Sequence, residues 1–308
     1  MSNEGAPLIL YYAMGGGLGH LVRARAVLHA LGIEARAALL TASPHARDRR
    51  VVGDLPVHIA PALRDPAGSA DREAHREWLA GVLRRLEPEE IFVDTFPVGL
   101  LGELSDRSCV TGARLVYVGR LLRWPAYTRA FPDAGRAHFA RGYFVEPLHA
   151  DHDAAMRARC EQVVALQPRD PPADGEARGD GTGAALATIA RDLPARYWLV
   201  VHSGPPEEIA ELVAYARDLQ RIEADRAPIV VASPHAAPAG DGLIAIDLHP
   251  ATSLFAHAAR VVSACGYNVM RQMAPYAERH RFLPLPRRYD DQFERAARRR
   301  EAARAGVR

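Results

Sequence analysis

What most constrains this chain is a short apolar run that ends in a glycine-rich turn. Residues 8–13 (LILYYA) run directly toward Gly15, Gly16, Gly17 and Gly19, and His20 follows. Such a run reads as a buried parallel strand, and the glycines let the backbone turn sharply where a helix begins. The start of a helix presents unpaired N–H groups and a partial positive charge, so a strand-to-helix turn of this kind suits a phosphate or a reacting group. A tight turn without a ligand is the plainer alternative. Helical spacing over 21–31, with Gly32 as its stop, predicts the helix that such a turn feeds.

The rhythm continues past this turn. Residues 37–40, 57–60, 91–93, 115–118 and 143–145 read as strands, and 71–86 as a charged amphipathic helix. Residues 167–183 carry Pro168, Pro171, Pro172 and several glycines among few apolar residues, which marks a linker. The alternation then restarts. Strands are expected at 197–201, 229–232, 243–246, 261–264 and 282–285, with helices at 205–219 and 292–304. The expected fold class is α/β, with two Rossmann-like domains facing across a cleft: an N-terminal domain over 1–166, the linker, and a C-terminal domain over 184–308.

Composition removes several function classes. All 39 basic residues are arginine, so a Walker-type phosphate loop and Schiff-base chemistry, which both need lysine, are excluded. A net charge of +2, with no basic run interleaved with aromatics, gives no reason to expect nucleic acid as a partner. Cys109, Cys160 and Cys265 are isolated, as in a reducing cytoplasm, and residues 1–7 lack the pattern of a secretory signal. A cytoplasmic protein is expected. The histidines show no metal-ligand spacing, so no metal is expected. Residues 121–131 (LLRWPAYTRAF) mix aromatics with arginines. They read either as a surface for weak peripheral membrane association or a lipid acceptor, or as a partly buried loop.

A dinucleotide site at the first turn fits poorly. The third glycine of that fingerprint would fall at His20, and 39–43 offers no acid for a ribose. Two later turns also join an expected strand to a helix. In one, Ser203 and Gly204 precede Pro205. In the other, Gly266 and Asn268 could meet a phosphate, or Asn268 could simply cap a helix.

Together these motifs resemble the GT-B glycosyltransferases, in particular the peptidoglycan N-acetylglucosaminyltransferase and the UDP-glycosyltransferases. The turn from Gly15 to His20 is similar to the opening glycine-histidine signature. The run Leu248-His249-Pro250, through Leu254-Phe255-Ala256-His257, to Cys265-Gly266-Tyr267-Asn268 is similar to the donor-binding signature, and Asp291-Gln292 to its acidic-glutamine pair.

The resemblance implies a metal-independent, inverting transfer from a nucleotide-sugar co-substrate, most readily a UDP-sugar, to an unidentified acceptor, with no cofactor. It implies that His20 deprotonates the acceptor and Asp94 orients it. Ser203, Gly204, Gly266 and Asn268 would meet the diphosphate, Leu248 and His249 the base, and Asp291 and Gln292 the sugar hydroxyls. Two positions depart from the pattern. Gln272 stands where the family has a ribose-binding glutamate, and Ala264 where the plant-type signature has a histidine. Both leave open a non-catalytic nucleotide-sugar-binding protein, and a UDP-sugar epimerase on the same scaffold is the other alternative. On the plainer reading, His20 is an exposed histidine beside a turn, Asp94 caps the segment from Pro97, and Asp290-Asp291 opens the last helix.

Overall fold

The computed structural model describes residues 8–15, 17–61, 69–106, 110, 112–172, 192–235, 240 and 242–306. Gly16, Cys109, residues 1–7 and 173–183 of the expected linker lie outside them. The chain divides into two compact units. Unit 1 comprises Met1–Pro171 with Arg288–Asp290, and unit 2 comprises Pro172–Arg287 with Asp291–Arg308.

Unit 1 is built on seven parallel strands: β1 (Ile9–Tyr12), β2 (Ala37–Thr41), β3 (Val57–Ile59), β4 (Glu90–Asp94), β5 (Arg114–Gly119), β6 (Arg141–Phe144) and β7 (Val163–Ala165). They lie in the order β3-β2-β1-β4-β5-β6-β7. Every residue of β1 and β2 is buried, as expected where helices cover both faces of a parallel sheet. Helix α1 (Leu18–Leu31) starts three residues before the expected position, with Gly17 as its N-cap. It ends at Gly32, whose φ of +68° is the left-handed conformation that terminates helices. The other helices are α2 (Arg49–Val52), α3 (Ser69–Leu86), α4 (Trp124–Ala130) and α5 (Ala150–Arg157).

Helix α4 carries most of residues 121–131. Leu121, Leu122, Trp124 and Tyr127 are all buried, and Leu122, Trp124 and Tyr127 belong to the core of unit 1. The aromatics therefore have a packing role inside the unit. Among the described residues no helix is long and apolar enough to cross a membrane.

Unit 2 repeats the plan with five parallel strands: β8 (Trp198–Val201), β9 (Ile229–Ala232), β10 (Leu243–Ile246), β11 (Arg260–Ala264) and β12 (His280–Leu283). Their order is β10-β9-β8-β11-β12. Its helices are α6 (Pro206–Ile222), α7 (Tyr267–Gln272) and α8 (Gln292–Arg304). Alternate strand residues feed two cores, as the two-residue period of a strand requires. Trp198, Val200, Val231 and Val262 pack with Ile209, Leu212 and Val213 of α6, while Leu199, Val230 and Val261 pack with Phe255 and Met273. Burying each large side chain of α6 contributes roughly 1.5–3 kcal/mol.

Candidate functional site

In an open parallel sheet the crevice forms where the strand order reverses, at the carboxyl ends of the two strands that flank the reversal. In unit 1 these strands are β1 and β4, paired in parallel from Ile9↔Glu90 to Tyr12↔Val93. The turn after β1 carries Gly15 and Gly17 and delivers His20 in the first turn of α1, while β4 ends at Asp94. Gly19 is already inside α1. The topology thus brings together two residues that are 74 positions apart.

His20 Nδ1 lies 2.5 Å from Asp94 Oδ2. Arg23, one turn further along α1, donates from Nε to Oδ1 at 2.7 Å and from Nη2 to Oδ2 at 2.5 Å. The Tyr11 hydroxyl donates to Oδ1 at 3.2 Å. Arg23 Nη2 and His20 Nδ1 stand 3.1 Å apart, as two donors sharing one carboxylate oxygen do. Burial by itself would raise the carboxyl of Asp94. The charge of Arg23 and the hydrogen bonds from His20 and Arg23 outweigh it and hold Asp94 well below the usual carboxylate range. Burial pushes His20 down from 6.5, against the pull of Asp94, with Arg23 and Arg120 adding to the fall.

The pair at neutral pH is therefore an ionised carboxylate and a neutral imidazole. The ionised acceptor fixes the proton on Nδ1 and leaves the lone pair on Nε2. The His20 side chain keeps 14% of its surface exposed and Asp94 keeps none, so a substrate can reach the imidazole but not the carboxylate. The ring is flanked by Phe96, with centroids 5.8 Å apart.

Sequence reasoning did not pick out Arg23, Thr95 or Arg120, and it placed Asp290 only at the start of the last helix. Arg120 donates from Nε to Thr95 Oγ1 at 2.9 Å and pairs with Asp290. Arg23 carried a legible signal, a basic residue three positions after His20 on the same helix face. Asp290 carried none, because its partner is 170 positions away.

The reversal in unit 2 lies between β8 and β11, where Val201 pairs with Ser263. His202, Ser203 and Gly204 follow β8, and Cys265 and Gly266 follow β11. His202 Nε2 lies 2.6 Å from Glu208 Oε2, and Arg287 grips both oxygens of Glu208 at 2.6 and 2.5 Å. Burial lowers the His202 pKa; that of Glu208, which burial would raise, is held down by its bonds from Arg287 and His202. Glu207 and Glu208 occupy the first turn of α6, so the chain itself supplies the negative charge that this helix start favours. Helix α6 begins at Pro206, with Pro205 as its N-cap.

Other sequence-designated residues have structural work. Gly266, not Asn268, is the N-cap of α7, and Gln272 is that helix's last residue. Leu248 packs against the unit 2 core, and the His249–Pro250 peptide is cis. Asp291 is the N-cap of α8 and accepts from the Glu294 N–H at 3.1 Å.

Gln292 has a structural bond of its own. It is buried, and its Oε1 accepts from the N–H groups of Cys265 at 3.1 Å and Leu285 at 3.0 Å. Those two bonds engage that oxygen with the backbone. Among the described residues no group of three or more His, Cys, Asp or Glu side chains is arranged to hold a metal ion.

Solved structures share this architecture at low sequence identity. UDP-GlcNAc 2-epimerase from Neisseria meningitidis, bound to UDP-GlcNAc, is 10% identical with a TM-score of 0.62, over 94% of this chain and 85% of that one. Spinosyn forosaminyltransferase is 10% identical with a TM-score of 0.61, over 95% and 83%. MurG from Acinetobacter baumannii is 16% identical with a TM-score of 0.50, over 95% and 82%. No protein-family profile and no curated protein sequence matches the chain. The chain has the fold of two Rossmann-like α/β units that GT-B glycosyltransferases share with UDP-GlcNAc 2-epimerases.

Proposed function

We propose that this protein binds a nucleotide-sugar and is a glycosyltransferase in which His20 is the proton acceptor. The observation that carries the reading is the 2.5 Å contact between His20 Nδ1 and a fully buried, ionised Asp94, which leaves Nε2 as the basic atom. The acceptor hydroxyl gives its proton to Nε2 as its oxygen attacks the anomeric carbon. The bond from that carbon to the diphosphate breaks, and the nucleoside diphosphate leaves with the electron pair, so the anomeric configuration inverts. We assign the diphosphate to unit 2, with the backbone at Ser203, Gly204 and Gly266 as its donors. A UDP complex of an anthocyanidin 3-O-glucosyltransferase shares the fold, which favours UDP as the nucleotide.

Epimerisation of a UDP-sugar is the second reading, favoured by the likeness to the Neisseria enzyme. The unit 1 network weighs toward transfer. Asp94 and Asp290 are both engaged by arginines, so the imidazole is the base at hand. Incubating the protein with UDP-GlcNAc alone, and then with a panel of hydroxyl acceptors, separates the two. Epimer formation without an acceptor would overturn the transferase reading, and an inverted glycoside plus UDP would support it.

A further inference from the structure

Thr95 directly follows Asp94 and holds φ at +67°, a left-handed conformation that a β-branched residue rarely occupies. Backbone strain of this kind persists only where the surroundings impose it. Here four hydrogen bonds impose it. The Thr95 N–H donates to Val118 O at 2.9 Å, and its carbonyl accepts from the Tyr117 hydroxyl at 2.9 Å. Its Oγ1 accepts from Arg23 Nη2 at 3.0 Å and from Arg120 Nε at 2.9 Å. Tyr117 is steadied in turn by His152, 3.0 Å from its hydroxyl, whose ring lies flat against Trp124.

The strained turn places one neutral oxygen between two guanidinium groups that would otherwise repel each other. Each cation is then directed to its own carboxylate, Arg23 to Asp94 and Arg120 to Asp290. We propose that Thr95 is the positioning residue of the His20–Asp94 pair: its hydroxyl holds Arg23 square against Asp94, so that the carboxylate orients His20 without capturing a second proton through it. The proposal rests on the reading of His20 as the base, but it concerns the ionisation of the free protein.

The charged groups facing His20 are Asp94 from β4, Arg23 from its own helix and Arg120 from the end of β5. Tyr11 bonds to Asp94 from β1, and Asp290 bonds to Arg120. If Thr95 loses its hydroxyl, Arg23 is freed from one of its anchors and neutralises Asp94 less completely. The carboxylate then favours the imidazolium more strongly, and His20 titrates at higher pH.

The test is an NMR titration of His20 in the whole protein, with its signal assigned against His20→Gln. Thr95→Val removes the acceptor but keeps the shape, Thr95→Ser restores the hydroxyl, and Thr95→Gly removes the hydroxyl while suiting the positive φ. The glycine variant secures a folded protein should the valine variant fail. In the valine and glycine variants the midpoint should rise by about half a unit or more, and the serine variant should return it. The acid limb of kcat/KM should move by the same amount while the donor KM stays put. An unmoved midpoint in the glycine variant, or no rescue by serine, overturns the proposal. Because the titration needs no substrate, absence of transfer with every acceptor would end the transferase reading and still leave Thr95 decided.

Discussion

Gly15 and His20 touch in a way that only glycine permits: a Cβ on Gly15 would stand 2.3 Å from Cδ2 and 2.5 Å from Nε2 of His20. The glycine turn therefore makes room for an imidazole. In Gly15→Ala the ring must move, and the 2.5 Å contact with Asp94 cannot survive unchanged. A displacement of about 1 Å in a reacting group costs on the order of 10²-fold in rate. Transferase turnover should fall by that factor, while UDP affinity, assigned to unit 2, should hold. Steady-state kinetics and calorimetry with UDP measure the two separately, and undiminished turnover would remove His20 from the mechanism.

Asp94→Asn tests the orienting carboxylate. Wild-type activity should be full at pH 7 and fall as the pH drops through the pKa of His20, which burial places below 6.5. Asparagine removes the negative charge that raises that pKa and leaves Nδ1 without its ionised acceptor. Turnover should drop by about 10²–10⁴-fold, and any residual activity should show its acid limb at lower pH than the wild type. Arg23 also loses its charged partner, and stranding a buried cation costs about 3–5 kcal/mol. Denaturant unfolding should show that loss, and equal stability of the two proteins would contradict the clamp.

The sheets and the first turn were legible because they rest on local signals. Residues 8–13 are apolar throughout, Gly32 stops α1, and the alternation of strands and helices repeats in each unit. His20 and Asp94 could be named because the first turn resembles a family signature whose histidine is paired with an aspartate at a later strand end. What stayed hidden depends on distance in the sequence. Arg120 finds Asp290 across 170 positions, and residues 288–290, beside an expected final helix, belong to unit 1 instead. Tyr289 packs there against Phe96 and Tyr127. Nor could periodicity show that Trp124 and Tyr127 point into a core: Arg123 and Arg129 on either side of them made the segment look superficial, and the fold turns both arginines outward.

Two buried histidines give the protein an acid-sensitive stability. Burial lowers His152 to about 3, with His149 adding to the fall, and lowers His280 to about 4, helped by Arg299 and Arg281. Both are thus neutral when folded and would titrate near 6.5 when unfolded. The unfolded chain binds more protons below that pH, so stability is complete above about 6.5 and drains as the pH falls toward 4. Each histidine contributes a slope of up to about 1.4 kcal/mol per pH unit in that window. Denaturant unfolding at pH 7, 6 and 5 should show a steady decline, and a flat profile would mean that one or both rings charge inside the fold.

Gln292 separates a sugar contact from a structural bond. If its task were to bind a sugar hydroxyl, Gln292→Ala would leave the free protein as stable as before and weaken only the nucleotide-sugar. Its Oε1 instead accepts from the N–H groups of Cys265 and Leu285, which ties the start of α8 to the turn after β11. Alanine would orphan both donors in a buried place, at about 1–3 kcal/mol for each group. We therefore expect Gln292→Ala to lose roughly 2–6 kcal/mol in denaturant unfolding without ligand. Gln292→Glu keeps an oxygen acceptor at the same reach and should recover most of that loss. UDP affinity should fall in the alanine variant too, because the turn that carries Gly266 is no longer held, and a stable alanine variant with weakened sugar binding alone would return Gln292 to the sugar.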